Sequence, residues 1–420
     1  MIAELCERFG IAGRVRAAAL DAYAQTATIA YPAQERVQAA VLQAFLDEGM
    51  AESDLTGGLG YGYDDAARER YESLLARVLG AERAIARLSI VSGTHAIVAA
   101  LAACVPPGRT LLAISGAPYD TLRNAICEAP HALVRQGVEY REIALAHDGG
   151  IDLPAVSEAL AGSGVAAVFV QRSRGYAPRR SLSVAECERA YATVRRAAPD
   201  VCVLVDNCYG ELVEEREPAR AGADLVMGSL IKNLGGSLAP AGAYVAGRAE
   251  LVERVAARLY APGLGAALGP SLGLGRALAH GLFLAPLIVA QCLRGLDFFA
   301  ALFERLGFTV DPVAGQTRTD IVQAIRLGEP ELLRRFAAGL QAALPVNARF
   351  RPEAGAVPGY AQPVIMSSGA FVSGSTLELS CDAPMRAPFE VYVQGGVSAA
   401  HAYVGALFAA RALLSEPRNP

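Results

Sequence analysis

The chain has 420 residues, 53% of them hydrophobic and 19% charged, which is enough apolar material for a large core and excludes a disordered chain. Its net charge of −4 lacks the basic excess of nucleic-acid-binding proteins, so no nucleic-acid partner is expected. The most apolar stretch, residues 281–290, is shorter than the roughly 20 residues of a membrane span and predicts a buried helix.

The N-terminus does not resemble a secretory signal, because Glu4, Glu7 and Arg8 lie within its first turns. The eight cysteines show no CxxC spacing, and we expect them to be free thiols in the cytoplasm. The five histidines have no metal-ligand spacing, so no metal site is predicted.

The elements alternate between helices and strands after a helical N-terminal arm. An amphipathic helix is predicted over residues 66–79 and another over 184–197. Short apolar runs predict strands at 110–114, 166–171, 201–205, 224–227 and 242–246. This alternation predicts a mostly parallel sheet with helices on both faces.

A second lobe is predicted from about residue 296, with helices near 296–306, 329–343 and 398–414 and strands between them. The chain is therefore expected to comprise an N-terminal helical arm, a large domain and a small domain, with the bounds 1–60, 61–295 and 296–420.

Lys232 is the only lysine, although lysine and arginine together number 38. A coding bias toward arginine explains the rarity of lysine but not this exception. Arginine stays charged at working pH values, whereas lysine can lose its proton and form an imine. The residue also follows the strand at 224–227, at the sheet edge where open α/β sheets bind ligands. The alternative explanation is chance retention at a tolerant site.

Three further features accompany this lysine. Ser92, Gly93 and Thr94 open a helix whose N-terminus can hold a phosphate. Asp206 ends an apolar strand, where a carboxylate can pair with a pyridinium nitrogen. Ser229 lies three residues before the lysine and offers a hydroxyl to a phosphate. Together these residues predict a site for pyridoxal 5'-phosphate (PLP).

Two aromatic or basic side chains extend this prediction. Tyr119 follows the strand at 110–114 and can stack on the cofactor ring. His95 lies beside the predicted phosphate cup. Taken singly, each of these features also has an ordinary structural explanation, such as a helix cap, a turn residue or a surface tyrosine.

The chain resembles the methionine gamma-lyase-like, or aluminium-resistance, family of PLP enzymes of Cys/Met metabolism. The matching stretches are GYGYDD (60–65), SGTHAI (92–97), PYDTL (118–122), QRSRGY (171–176), VDNCYGE (205–211), GSLIKN (228–233), RTDIVQAIRLG (318–328), PGY (358–360) and VYVQGG (391–396). The resemblance implies fold type I, the aspartate-aminotransferase-like α/β fold. It has a large domain with a mostly parallel seven-stranded sheet and a smaller C-terminal α+β domain.

The resemblance also implies roles for individual residues. Lys232 is the lysine that forms the Schiff base with PLP, and Asp206 is the partner of the pyridinium nitrogen. Tyr119 stacks on the cofactor ring and is the third catalytic residue. Tyr61 and Tyr63 are expected to reach into the site of a neighbouring subunit. The resemblance also implies a homodimer or homotetramer with shared active sites.

Three arginines compete for the carboxylate of an amino-acid substrate. Arg386 is the first candidate, because arginine can bind a carboxylate through two hydrogen bonds. Arg172 and Arg174 are the others. For these two, a role as surface or interface cations is an equally good explanation.

The expected function is a PLP-dependent lyase that eliminates a β- or γ-leaving group from an amino acid through an external aldimine and a quinonoid. Sulfur is the family-typical leaving group, and a halide is an alternative. Other PLP chemistry, such as γ-replacement or aminotransfer, remains open. So does a non-catalytic role as a PLP-binding or metal-tolerance protein.

Overall fold

The computed structural model describes residues 1–162 and 164–415. The chain forms two compact units. The first, here called the sheet unit, comprises residues 33–175 and 181–286. The second, here called the C-terminal unit, comprises residues 1–32, 176–180 and the chain from Leu287 onward.

The strands of the described chain are β1 (Arg83–Arg87), β2 (Thr110–Ala113), β3 (Glu139–Glu142), β4 (Val165–Gln171), β5 (Cys202–Asp206), β6 (Leu225–Ser229), β7 (Ala243–Gly247), β8 (Thr309–Asp311), β9 (Val322–Arg326), β10 (Ala354–Gly355), β11 (Val364–Ser368), β12 (Ser380–Pro384) and β13 (Glu390–Gln394). The α-helices are α1 (Ile2–Arg8), α2 (Gly13–Thr26), α3 (Pro32–Glu48), α4 (Ala66–Leu79), α5 (Gly93–Cys104), α6 (Asp120–Arg123), α7 (Leu153–Ala161), α8 (Val184–Ala197), α9 (Ala249–Leu259), α10 (Gly275–Arg305), α11 (Pro330–Gln341) and α12 (Ala399–Leu414).

The sheet unit contains a seven-stranded sheet in the order β1-β7-β6-β5-β4-β2-β3. The five strands from β6 to β3 run parallel, whereas β7 is antiparallel to both of its neighbours. Successive side chains of β5 enter two different cores, Val203 and Val205 on one face and Leu204 on the other. Helices cover both faces: α4, α7 and α8 pack on the first and α5 and α9 on the second. This is the predicted mostly parallel sheet of seven strands.

Local signals in the sequence fix the ends of the helices around this sheet. The hydroxyl of Ser183 accepts from the backbone N–H of Glu186, and the Glu186 carboxylate accepts from the Ser183 N–H, which forms a capping box at α8. Asp65 caps α4, and Gly80 ends it in the left-handed conformation. The predicted helices at 66–79 and 184–197 are therefore confirmed residue for residue.

The C-terminal unit contains a six-stranded antiparallel sheet in the order β10-β11-β12-β13-β9-β8. Helices α11 and α12 belong to the same unit, as predicted for the second lobe. The first residues of the chain join it too: Phe9 packs edge-on against Phe408, and Arg411 donates to the Phe9 carbonyl. The predicted division of the chain at residues 60 and 295 stays a prediction.

Helix α10 is long and apolar enough to cross a membrane by length and composition alone. However, 67% of its most apolar window is buried inside the structure, as in the core helix of a globular protein. Pro286 lies inside the helix, which continues past it to Arg305. The predicted buried helix around residues 281–290 is therefore part of a 31-residue helix.

The five predicted strands correspond to β2, β4, β5, β6 and β7, with ends that differ by at most two residues. Two strands of the sheet were not predicted. Strand β1 begins and ends with arginine, and β3 reads Glu-Tyr-Arg-Glu, so neither presents the apolar run of a buried strand. Both lie at the edges of the sheet, where one side of a strand has no neighbour.

Candidate active site

The carboxyl ends of three neighbouring strands bring the predicted cofactor residues to one edge of the sheet. Gln171, the last residue of β4, pairs with Asp206, the last residue of β5. Asp206 in turn pairs with Met227 of β6, and β6 ends two residues later at Ser229. Lys232 follows after one further turn. The parallel pairing explains why residues far apart in sequence are brought together here.

The start of helix α5 packs directly on this edge. The Ser92 hydroxyl caps the helix by accepting from the His95 N–H at 3.1 Å. A Cβ atom at Gly93 would lie 3.2 Å from the Sγ of Cys208 and 3.6 Å from the Cβ of Ser229. A side chain at this position would crowd the Cys208 thiol, so glycine favours the close approach of the first turn of α5, with its free N–H groups, to the ends of β5 and β6.

Tyr119 is joined to both α5 and β4. Its hydroxyl lies 2.7 Å from the hydroxyl of Thr94, and its backbone N–H donates to the side chain of Gln171 at 2.9 Å. Burial raises the pKa of Tyr119 well above its usual value, and the charge of Asp206 adds to this rise. The phenol therefore stays neutral at neutral pH and retains its proton as a hydrogen-bond donor.

Lys232 lies over an aromatic ring. Its Nζ is 3.6 Å from the ring centroid of Tyr209, close enough for a cation–π interaction. Burial acts to lower the pKa of Lys232, but the facing Tyr209 and Cys208 groups outweigh it and the pKa is raised. Tyr209 has a φ of +72°, an unusual backbone conformation for a residue with a bulky side chain.

The turn between β5 and Tyr209 is held by hydrogen bonds from both sides. The Asp206 carboxylate accepts from the N–H of Cys208 at 3.0 Å. The side-chain amide of Asn233, the residue after Lys232, donates to the carbonyl oxygens of Tyr209 and Glu211 at 3.0 and 2.8 Å. The turn and the lysine segment are thus tied together, which fixes the ring of Tyr209 relative to the lysine.

Tyr209, Glu211 and Asn233 received no role from the sequence. The first two belong to the stretch VDNCYGE, and Asn233 belongs to GSLIKN, so both stretches were singled out without their function. Their spacing from Asp206 and Lys232 was a usable signal, because residues one to five positions past a strand end lie in the same turn.

Three other predicted cofactor residues lie on the surface of the sheet unit. The ring of His95 is exposed, and its Nδ1 accepts from the N–H of Val91 at 3.3 Å. Tyr61 and Tyr63 are 76% and 59% exposed, with ring centroids 6.0 Å apart. Their predicted reach into a neighbouring subunit stays a prediction.

The candidate carboxylate-binding arginines have different environments. Arg172 and Arg174 are 1% and 3% exposed, so the alternative that they are surface cations is wrong. The Arg172 guanidinium is hydrogen-bonded to the side chains of Asn207 and Glu214. Arg386 is half-buried in the C-terminal unit and donates to the carbonyl of Tyr176 at 2.7 Å. Which of the three binds a substrate stays a prediction.

Within residues 1–162 and 164–415, no three His, Cys, Asp or Glu side chains are arranged to hold a metal ion. The polar groups at the sheet edge are instead an amine, a carboxylate, hydroxyls and helix N–H groups. This set suits an anionic, aromatic organic ligand better than a metal ion.

Comparison with known proteins places the chain in a family. Residues 14–414 match the family model described as methionine gamma-lyase. The chain is 41% identical over 371 residues to the uncharacterized protein YnbB of Bacillus subtilis, which covers 87% of this chain and 88% of YnbB.

Solved structures support the same assignment. A Clostridium acetobutylicum protein named "putative cystathionine beta-lyase involved in aluminum resistance" is 38% identical, with a TM-score of 0.93 over 98% of each chain. The pyridoxal-5'-phosphate dependent protein YhfS of Escherichia coli is 21% identical, with a TM-score of 0.59 over 90% of this chain and 96% of YhfS. The latter shows the fold alone, which is PLP fold type I. The chain therefore belongs to the methionine gamma-lyase family, a family of PLP-dependent lyases.

Proposed function

We propose that this protein is a PLP-dependent carbon–sulfur lyase that removes a thiol from the β- or γ-carbon of an amino acid. One observation carries the proposal. The amine of the only lysine lies 3.6 Å above the Tyr209 ring, on the sheet edge that also carries Asp206, Ser229 and the start of α5. Membership in the lyase family supports the reaction class.

The residues at this edge fit PLP. The free N–H groups of α5, with the hydroxyls of Thr94 and Ser229, suit the phosphate. Asp206 suits the pyridine nitrogen and Tyr119 the face of the ring. Lys232 supplies the amine that holds the cofactor covalently. Glycine at position 93 favours the close approach of α5 to the strand ends that carry these groups.

When bound, PLP supplies an electron sink for the electron pair that remains after the Cα proton departs. In the proposed reaction Lys232 takes that proton, and the Tyr209 ring beneath its Nζ stabilises the resulting ammonium. Tyr119, which stays neutral, can donate a hydrogen bond without adding negative charge. Arg386 is the residue proposed to orient the substrate carboxylate.

The products follow from the position of the leaving group. The C–S bond breaks with its electron pair on sulfur, which leaves as a thiol after it gains a proton. The remaining unsaturated amino acid is either released or hydrolysed to an α-keto acid and ammonia. A halide is a second leaving group that the same steps accommodate.

We also propose that the protein is a homodimer or homotetramer with shared sites. The exposed pair Tyr61 and Tyr63, with Leu59 at 77% exposure, forms an apolar loop that supports this proposal. Sedimentation velocity gives the oligomeric state directly. A monomer at micromolar concentration contradicts the proposal.

Absorbance spectroscopy tests the proposed function. The protein with added PLP is expected to show an absorbance band at about 420 nm, typical of an imine between PLP and a lysine. A panel of β- and γ-thio amino acids should perturb the band, with thiol release in step. Lys232→Ala is expected to show neither effect.

The outcomes separate this proposal from its alternatives. A band that substrates perturb without release of a thiol points to aminotransfer or, if a second nucleophile is required, to γ-replacement. A band that no amino acid perturbs points to a PLP-binding protein without catalysis. If no band forms with PLP, the cofactor assignment itself is wrong.

A further inference from the structure

The last residue of β5 and the segment after it carry four carboxyl groups that are buried or half-buried: Asp206, Glu211, Glu214 and Glu217. Three of them are well supplied with partners. Glu214 pairs with Arg172, and Asp206 accepts from a backbone N–H. Glu217 accepts from the side chain of Asn207 and the backbone of Leu212, both at 2.8 Å. These contacts favour the ionised forms of the three groups, although burial outweighs them for Glu214 and Glu217 and raises the pKa of both.

Glu211 differs from the other three. Its side chain is fully buried, and one carboxyl oxygen accepts from the hydroxyl of Tyr244 at 3.0 Å. The other oxygen has no hydrogen-bond partner among the residues that the structure describes. In such a place a charged carboxylate costs more free energy than a neutral carboxylic acid.

The carboxyl group of Glu211 packs against the strand that leads to Lys232. A Cβ atom at Gly228 would lie 2.5 Å from its Oε1 and 2.7 Å from the Tyr244 hydroxyl, so only glycine leaves room for this pair. Asn233 also ties the Glu211 carbonyl to the lysine segment at 2.8 Å. The Glu211 backbone is thus tied to the residue that follows Lys232, and its carboxyl group lies against the strand that precedes Lys232.

The charges around Glu211 act in both directions. Burial, with a smaller contribution from the charge of Glu217, raises the pKa of Glu211 to about 8. A hydrogen bond from its own backbone N–H, the Tyr244 hydroxyl and the positive charge of Lys232 partly oppose this rise. Other titratable groups that act on the pair are Cys208, Tyr209 and, through Cys208, Asp206. The effect is reciprocal, because an ionised Glu211 is one of the groups that raise the pKa of Lys232.

We propose that Glu211 is a positioning residue that carries a proton at neutral pH, and that loss of this proton places a negative charge beside Lys232 and strengthens its hold on its own proton. The neutral acid therefore leaves the lysine amine freer to act as a base. This last consequence rests on the proposed function, whereas the coupling between the two groups does not.

The lone lysine makes the coupling measurable. Protein grown with lysine labelled with ¹³C at Cε gives one lysine resonance, which needs no assignment. In the full-length protein freed of PLP, this resonance should shift slightly near pH 8, as Glu211 ionises, before Lys232 titrates at higher pH. In Glu211→Gln the step near pH 8 should be absent, and the Lys232 midpoint should fall by about one pKa unit.

Two further variants separate this role from a purely structural one. Tyr244→Phe removes a hydrogen bond that favours the ionised form, so the step should move to higher pH. Glu217→Gln removes a neighbouring negative charge, so the step should move to lower pH. Both tests remain available if Glu211→Gln fails to fold. Glu215→Gln, at an exposed position, is the matched control and should leave the step unchanged.

The inference is overturned if the step persists in Glu211→Gln, if no step occurs in the wild type, or if the two neighbouring variants leave it in place. These results do not involve the cofactor. A protein that shows the step but forms no PLP band loses its proposed function and keeps the coupling, so the two failures can be told apart.

Discussion

Replacing Arg172 by methionine is expected to cost about 3 kcal/mol of folding stability, because the change leaves buried acids without their cation. The guanidinium is 1% exposed and hydrogen-bonded to Asn207 and Glu214. Removing one partner of a buried ion pair costs about 3–5 kcal/mol. The lower figure applies because the Glu214 side chain is 22% exposed, so water can solvate part of its charge.

Urea unfolding followed by circular dichroism measures this cost. The comparison is made at one pH both without PLP and with PLP in excess, because a ligand of the native state raises apparent stability by mass action. The double variant Arg172→Met with Glu214→Gln removes both charges, and it is expected to recover most of the lost stability. The difference between single and double variants gives the coupling energy of the pair.

A catalytic role for Arg172 predicts a different pattern. If this arginine binds the substrate carboxylate, Arg172→Met should raise KM at least about tenfold, as expected for a lost charged hydrogen bond. Its unfolding midpoint should then equal that of the wild type. That result contradicts the structural role derived from its buried pair with Glu214.

Two further predictions concern the substrate and the cofactor. Arg386→Met should raise KM for the amino acid about 10- to 100-fold in steady-state assays. It should change the free energy of unfolding by less than about 1 kcal/mol, since the side chain is half-buried. An unchanged KM shows that Arg386 does not bind the substrate. Gly93→Ala should weaken PLP affinity about tenfold in a fluorescence titration. The new Cβ atom would lie 3.2 Å from the Cys208 Sγ and push α5 away from the strand ends. An affinity equal to that of the wild type shows that α5 does not hold the phosphate.

The sequence predicted most of the fold because buried parallel strands are continuous apolar runs. Strands β4 and β5 have little else in them, and their ends were correct within one residue. Strands β1 and β3 were missed because edge strands tolerate charge, which removes the apolar signal. Helix ends were predictable where the sequence has a typical capping residue, such as Asp65 at the start of α4 and Gly80 at its end.

The candidate site was predictable only where a strand end places a polar residue. Asp206 and Ser229 follow that rule: Asp206 ends β5 and pairs with Met227, two residues before Ser229 ends β6. The role of Tyr209 depends on a left-handed backbone that no sequence pattern specifies. The burial of Arg172 and Glu211 could not be predicted from the sequence either, because a charged residue in a loop is usually exposed.

The substitution Lys232→Arg tests the reasoning that began with composition. Every other lysine-or-arginine position in this chain is arginine, so arginine is the replacement that a coding bias would have produced. The backbone of Lys232, with a φ of −100°, suits arginine equally, and an arginine can also stack on the Tyr209 ring. We therefore expect Lys232→Arg to unfold within about 1 kcal/mol of the wild type. It should also lose the covalent PLP band completely, because a guanidinium forms no such linkage. A variant that keeps the band shows that the cofactor is held elsewhere, and the retention of this one lysine then has no chemical cause.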